Sequence, residues 1–208
     1  MALPEDTDAI VFIIDDDPRV RDSLESLLQS IGQASAAYAT AQAFLDAARP
    51  DLPACLVLDV RLPEQGGLDL QRALVAQGVH LPVIVITGHG DIPMAVAAMK
   101  AGAIDFLTKP FRDQDLIDAI QRGIRLDRAH RAGAAELEEL RQRHAALTPR
   151  EREVMALVAE GAVNKQIAAA LTIKEITVKV HRAQVMSKLG ARSLAELVRI
   201  ADRLKPIP

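Results

Sequence analysis

Cysteine, aromatic residues and long apolar runs are scarce in this chain. It has one cysteine among 208 residues, so no disulfide can form within it, which fits a reducing cytosol. With four Phe, one Tyr and no Trp, a core must be built mainly from Leu, Ile, Val and Ala. No apolar run approaches the roughly 18 residues of a membrane helix, and no signal peptide begins the chain. We therefore expect a cytoplasmic protein that makes no membrane contact.

Charge is unevenly distributed along the sequence. Counting Lys and Arg against Asp and Glu, residues 1–123 have 9 against 18, and residues 124–147 have 5 against 4. Residues 148–208 have 11 against 6, so a net charge of −9 at the start is followed by +5 at the end. An acidic part joined to a basic part predicts two domains with different partners.

Short apolar runs alternate with segments of helical period in the acidic part. The apolar runs predict strands near residues 11–14, 34–38, 55–59, 83–87 and 105–107. The segments between and after them predict helices near residues 19–29, 41–48, 68–76, 93–101 and 114–125. This alternation is typical of an α/β fold, and five such units predict a flavodoxin-like, doubly wound (βα)5 parallel sheet.

A polar residue or acidic pair ends or follows four of the five predicted strands: Asp15 and Asp16, Asp59, Thr87 and Lys109. Ligands of such sheets bind outside the carboxyl ends of the strands, so we expect these residues at one rim. Carboxylates suit Mg²⁺, and an aspartate can attack phosphorus as a nucleophile. Asp59 is the best nucleophile because it stands alone after a central strand. Most lone aspartates at strand ends only cap turns, but the whole set together favours phosphoryl chemistry.

These residues resemble the receiver domain of two-component response regulators. Further matching stretches are Leu62-Pro63, Gly66-Gly67, Ala101-Gly102-Ala103 and Lys109-Pro110-Phe111. The resemblance implies that Asp59 accepts a phosphoryl group from a sensor histidine kinase. It also implies a cis Lys109-Pro110 bond.

The resemblance implies a role for each residue of the rim. Asp16, Asp59 and the main-chain carbonyl of Arg61 would bind Mg²⁺, with Asp15 acting from outside the direct ligands. Lys109 would pair with the phosphoryl group and Thr87 would shift towards it. Phe106 would be a rotating aromatic switch, the alternative being an ordinary core residue.

The basic part predicts four short helices and no strand. Thr148-Pro149-Arg150-Glu151 and Ser193-Leu194-Ala195-Glu196 read as capping boxes, and residues 164–170 and 177–189 are amphipathic. This part resembles the all-α LuxR-type helix-turn-helix domain of the NarL/FixJ family, and the matching stretches are residues 147–151, 164–168, 177–182 and 188–189. We expect a receiver at 1–125, a helical linker at 126–146 and the DNA-binding domain at 147–208. The linker has an alternative interpretation as a dimerising coiled coil, although it contains few heptads.

The recognition helix is expected to begin with Thr177, Val178, Lys179 and Val180. Its N-terminal residues would reach base edges in double-stranded DNA, with Arg182 one turn on, while Lys188 would meet the phosphate backbone. Lys174-Glu175 stands where a capping Ser or Thr is common in the family, so the start of the helix is open.

The combined pattern predicts a phosphorylation-controlled transcriptional regulator and not an enzyme. Phosphorylation would favour a homodimer bound to promoter DNA, where RNA polymerase is the expected partner. One alternative is an aspartyl-phosphate phosphohydrolase of the haloacid dehalogenase type, which needs an acid/base Asp two residues after the nucleophile, where this chain has Arg61. The other is a DNA-binding protein with an inert receiver.

Overall fold

The computed structural model describes residues 8–63, 66–88 and 90–205. It divides into two compact units, Met1–Arg131 and Ala132–Pro208, which are treated separately below. The first unit holds five strands and the helices around them. The second holds four short helices and the end of the long helix α5.

The first unit alternates strands and helices along the chain. Its elements are β1 Ile10–Ile14, α1 Pro18–Ser30, β2 Ala34–Tyr38, α2 Ala41–Asp46, β3 Ala54–Asp59, α3 Gly67–Ala76, β4 Val83–Thr87, α4 Ile92–Lys100, β5 Asp105–Thr108 and α5 Asp113–Ala145. All strand pairs are parallel and the strand order is β2-β1-β3-β4-β5. The predicted doubly wound sheet is therefore confirmed.

Both faces of this sheet are covered, which explains the unbroken apolar runs. Every residue of β1, β3 and β4 is buried, as expected of parallel strands with helices on each side. Alternate side chains point to opposite faces. Phe12 and Leu56 pack with α2 and α3, whereas Val11 and Val57 pack with α1 and α5. The core is buried up to the carboxyl ends of its three inner strands.

Helix α5 is longer than the sequence indicated. It was expected to end near Arg125, before a separate helical linker at 126–146, but one continuous helix runs to Ala145. Asp127 is buried in the first unit, and Leu140 belongs to the core of the second. Exposed polar residues lie between them, so the apolar stripe was too weak to show where the helix ends. The three-part division of the chain stays a prediction.

The second unit contains α6 Pro149–Ala159, α7 Asn164–Leu171, α8 Glu175–Leu189 and α9 Leu194–Leu204. The capping box of Thr148 and Glu151 is present in full. At α9 only half of the predicted box forms: Ser193 Oγ accepts from Glu196 N, but the Glu196 carboxylate accepts from Arg192 N. The second unit is thus an all-α bundle, as expected.

Helix α8 begins two residues earlier than predicted. Lys174 is extended, and its carbonyl accepts hydrogen bonds from Thr177 N and Val178 N without any side-chain cap. The chain reaches it through Thr172, whose φ of 54° is the one positive value on a non-glycine in the described ranges. This left-handed residue ends α7, and α8 then starts without a side-chain cap.

We predict that Thr172→Gly stabilises the second unit. A β-branched residue in the left-handed region carries a steric cost of roughly 1 kcal/mol that glycine avoids. Urea unfolding should show a gain of that order. Ala169→Gly in α7 is the control and should instead lose roughly 1 kcal/mol. Equal losses in both variants would show that the turn is not strained.

Candidate functional site

The parallel sheet brings the predicted polar residues to one edge. Asp15 and Asp16 follow β1, Asp59 and Thr87 end β3 and β4, and Lys109 follows β5. Ligand oxygens of the three aspartates lie within 4.8 Å of one another. Asp15 and Asp59 are buried while Asp16 is exposed. The sequence-predicted group is therefore assembled, with one side open to solvent.

Lys109 is bonded mainly to Asp15. Its Nζ lies 2.6 Å from Asp15 Oδ2 and 3.8 Å from Asp59 Oδ2. The other Asp15 oxygen accepts from Asp17 N at 3.0 Å. The Lys109-Pro110 bond is cis, as predicted, and Lys109 N donates to the Thr87 carbonyl at 2.7 Å. Asp15 thus holds the ammonium beside Asp59 while leaving Asp59 less fully neutralised.

The charge of Asp59 is only partly compensated by Lys109. Burial raises the pKa of its carboxyl; Lys109 opposes this, and the charge of Asp15 adds to it. A backbone hydrogen bond from Arg61 also opposes the rise. Among the described residues no group donates to the buried Asp59 Oδ1. A buried carboxylate oxygen without a hydrogen-bond donor lowers the free energy of unfolding unless a cation or another donor contacts it.

This arrangement fits a magnesium ion. Mg²⁺ takes oxygen ligands, keeps several waters and is bound through one or two carboxylates. The exposed Asp16 and the donor-free oxygen of Asp59 supply such carboxylates, and the solvent side leaves room for waters. Among the residues that the structure describes, no imidazole or thiol joins the cluster, and an all-oxygen set matches a hard cation. The carbonyl of Arg61 as a ligand remains a prediction.

The two predicted switch residues, Thr87 and Phe106, lie on the neighbouring strands β4 and β5. Thr87 is fully buried at the end of β4. Phe106 is half-buried in β5 and packs against the core on the α4 side. A Cβ built on Gly90 would lie 3.0 Å from the Phe106 ring and 2.6 Å from Thr108 Cγ2. The loop after β4 therefore runs close against the predicted switch residue.

Two supporting residues had no sequence-derived role. Arg21 Nη1 donates to the carbonyls of Asp15 at 2.7 Å and Asp16 at 3.0 Å, which fixes the acidic loop. At Gly67 a Cβ would lie 2.2 Å from the Asp59 carbonyl oxygen. Gly67 was noted only as part of a motif, and Arg21 looks like any exposed helical arginine. Only the folded contacts show their roles.

The predicted DNA-contacting residues of α8 have unequal surroundings. Lys179 and Val180 are exposed, Thr177 is half-buried and Val178 is buried on the opposite side. Because α8 starts at Glu175, Lys179 and Val180 lie in its second turn and not its first. Arg182 Nη1 donates to Asn164 Oδ1 at 2.6 Å. The exposed face near the start of α8 thus presents Lys179 with little restraint and Arg182 already held by α7.

Lys188 has a protein partner. Its Nζ lies 2.7 Å from Glu151 Oε2, and the Glu151 side chain is 3% exposed. This bond from Lys188, with the N–H of Thr148, lowers the pKa of Glu151. The same carboxylate completes the cap of α6. The sequence suggested a phosphate contact for Lys188, which stays untested, but the ammonium is engaged in joining α6 to α8.

Within the described ranges, no helix is both long enough and apolar enough to cross a membrane.

Comparisons with known proteins cover both units. Residues 11–121 match the model of the response regulator receiver domain, and residues 145–201 match that of bacterial regulatory proteins of the luxR family. Nodulation protein W of Bradyrhizobium diazoefficiens is 50% identical over 198 residues, covering 95% of this chain and 87% of that protein. Response regulator protein TmoT of Ectopseudomonas mendocina is 46% identical, covering 96% and 91%.

A solved structure is also similar over nearly the whole chain. The response regulator StyR is 46% identical, with a TM-score of 0.81, and the match covers 95% of this chain and 100% of that one.

We predict that Gly67→Ala damages the site as well as the fold. The new methyl group would overlap the Asp59 main chain, so the unfolding free energy should fall by roughly 1–3 kcal/mol, and Mg²⁺ affinity should fall because Asp59 moves. Gly133→Ala is the control, since a Cβ there meets nothing within 4 Å. Wild-type stability and Mg²⁺ affinity in Gly67→Ala would contradict the crowding at Asp59.

Proposed function

The chain belongs to the NarL/FixJ family of response regulators, which are receiver-controlled, LuxR-type DNA-binding transcriptional regulators, and from this premise we propose that Asp59 accepts a phosphoryl group from a sensor histidine kinase. Members of this family are transcription factors and not enzymes. The observation that carries the proposal is the buried Asp59 Oδ1, which meets no donor among the described residues although Lys109 and two further aspartates surround it.

The proposed transfer is a displacement at phosphorus. An Asp59 oxygen forms a bond to phosphorus as the bond from phosphorus to the kinase histidine nitrogen breaks, and the electron pair of that bond stays on the nitrogen. Asp16 and Asp59 would hold Mg²⁺ together with the Arg61 carbonyl, and Asp15 would act behind them. When bound, the ion supplies charge neutralisation for the phosphoryl oxygens. Lys109, already 3.8 Å from Asp59, supplies a second positive charge.

The phosphoryl group would then act as a switch through its added negative charge. We propose that Lys109 turns from Asp15 towards the phosphoryl group, that Thr87 donates to it, and that Phe106 moves against the loop at Gly90. Asp15 holds Lys109 at 2.6 Å before the reaction, so the phosphoryl group must compete with an existing ion pair. The position of the Lys109 ammonium would therefore depend on the charge at Asp59.

The output proposed is a homodimer on promoter DNA. Helix α4 exposes Ile92, Val96 and Met99, with Ile92 81% exposed, and this apolar face suits pairing of two receivers. Pairing would place two α8 helices on two half-sites, which multiplies affinity through effective concentration. RNA polymerase would be the partner at the promoter, and the cytoplasm the expected compartment.

The phosphohydrolase alternative has no support at this site. It would need an acid/base carboxylate two residues after Asp59, and that position is the exposed Arg61. The inert-receiver alternative is disfavoured because the acidic cluster and Lys109 are all in place.

Asp59→Asn should accept no phosphoryl group. Incubation of wild type with Mg²⁺ and a small phosphodonor should add one group, located by mass spectrometry of peptides. The variant should fold at least as stably at pH 7, because it removes a buried charge whose pKa is raised by burial. Asp46→Asn, an exposed helical position, is the matched control and should be labelled normally. Full labelling of Asp59→Asn would refute the assignment.

Lys179→Ala and Lys188→Ala should differ in kind. Loss of a base contact at Lys179 should cost about 1–3 kcal/mol and remove preference for the operator. Lys188→Ala leaves the Glu151 carboxylate without its ammonium, so the second unit should melt at lower temperature. Titrations of operator and scrambled duplexes at two salt concentrations distinguish a lost base contact from a lost phosphate contact. A salt slope reduced by about 1 in Lys188→Ala, with unchanged melting, would instead indicate a phosphate contact.

A further inference from the structure

A second cluster of ligand atoms lies at the opposite edge of the first unit's sheet. It comprises His80 from the loop between α3 and β4, and Asp127 and His130 from α5. We propose that these three residues form a binding site for a divalent transition-metal ion of the zinc, nickel and copper class. The residues lie near the start of β3, whereas the aspartate cluster lies beyond its end.

The carboxylate of this cluster is fixed in position. Asp127 is 2% exposed, and its Oδ2 accepts from Ala54 N at 2.9 Å and from Arg131 Nε at 2.8 Å. Arg131 is held in turn by Asp51. The other oxygen, Oδ1, lies 3.5 Å from His80 Nδ1. Oδ2 therefore makes hydrogen bonds that hold the fold, and Oδ1 faces an imidazole nitrogen.

The spacing of the three donors suits a small cation. One ligand atom from each residue lies within 4.8 Å of those of the other two. Zinc bonds of about 2.0–2.2 Å place tetrahedral donors about 3.4 Å apart, close to the His80–Asp127 distance. Asp127 and His130 are three residues apart on α5 and so share one helix face. The distances between the three residues therefore need only modest contraction around an ion.

The imidazoles require one rotation. The His80 and His130 rings are stacked, with centroids 3.6 Å apart and planes 7° from parallel. The nitrogen lone pairs of two stacked imidazoles lie in two parallel planes and do not converge on one point. One ring must therefore turn before both nitrogens can bind the same ion. The His80 side chain is 45% exposed and lies on a loop, which leaves it free to turn. A cavity of about 440 Å³ adjoins His80 and Asp127 and has room for water ligands.

The donor set also selects the kind of ion. Two imidazoles with one carboxylate favour zinc, nickel or copper, whereas magnesium prefers oxygen ligands. The two clusters should therefore take different metals. A metal at His80, Asp127 and His130 would join α5 to the loop before β4, and so stabilise the first unit by mass action.

Zinc binding to the untagged full-length chain tests this site. Titration calorimetry in excess Mg²⁺, which occupies the aspartate cluster, should detect one zinc ion. We expect His80→Gln and His130→Gln each to weaken it by about tenfold or more, as losses of groups around a metal commonly do. His144→Gln, a histidine further along α5 and outside the cluster, should bind normally. Asp16→Ala should also bind normally, since it alters only the other cluster.

Cobalt provides a second readout that does not depend on affinity alone. Co²⁺ should give a visible absorption band that disappears in His80→Gln and persists in Asp16→Ala. Both histidines are exposed, so their replacement should preserve the fold, which circular dichroism checks. Unchanged zinc affinity in both histidine variants, or loss of binding in Asp16→Ala alone, would overturn the proposal.

Discussion

The buried charge of Asp59 at the end of β3 is the constraint on which the site depends. The strand is covered on both faces, so its last residue, Asp59, lies in a poorly solvated position. Burial there makes ionisation of the carboxyl costly and raises its pKa. Lys109 offsets this cost only in part because it is bonded to Asp15. The resulting deficit of positive charge favours a cation beside Asp59, and under our proposal that cation and Lys109 would together neutralise an incoming phosphoryl group.

The contacts of Arg21 and Gly67 fix the main chain around the aspartate cluster. Arg21 fixes the main chain of the two neighbouring aspartates, and Gly67 lets the following loop approach the Asp59 carbonyl. The loop at Gly90 passes so close to Phe106 of β5 that an added Cβ would lie 3.0 Å from the ring. A charge added at Asp59 would therefore act on a tightly packed edge, where small displacements are transmitted because close-packed interiors yield little.

The sequence predicted those features that depend on local pattern. Strands β1, β3 and β4 were found because full burial leaves continuous apolar runs, and Asp59 because it ends one of them. The helical linker was predicted, but its continuity with α5 was not, since the exposed middle of the helix has little apolar periodicity. The bonds of Lys188 to Glu151 and Arg182 to Asn164 join residues 37 and 18 positions apart. His80 and Asp127 likewise meet only through the fold, so no spacing rule could reveal their proximity.

The most direct test of control by Asp59 is the DNA affinity of one full-length preparation before and after phosphorylation. An operator duplex obtained by in vitro selection would be titrated with wild type and Asp59→Asn, each with and without Mg²⁺ and a small phosphodonor. We expect wild-type affinity to rise by about tenfold on phosphorylation, a typical coupling between sites, with no change in the variant. Fully phosphorylated wild type that binds no more tightly, or an equal gain in Asp59→Asn, would contradict the account.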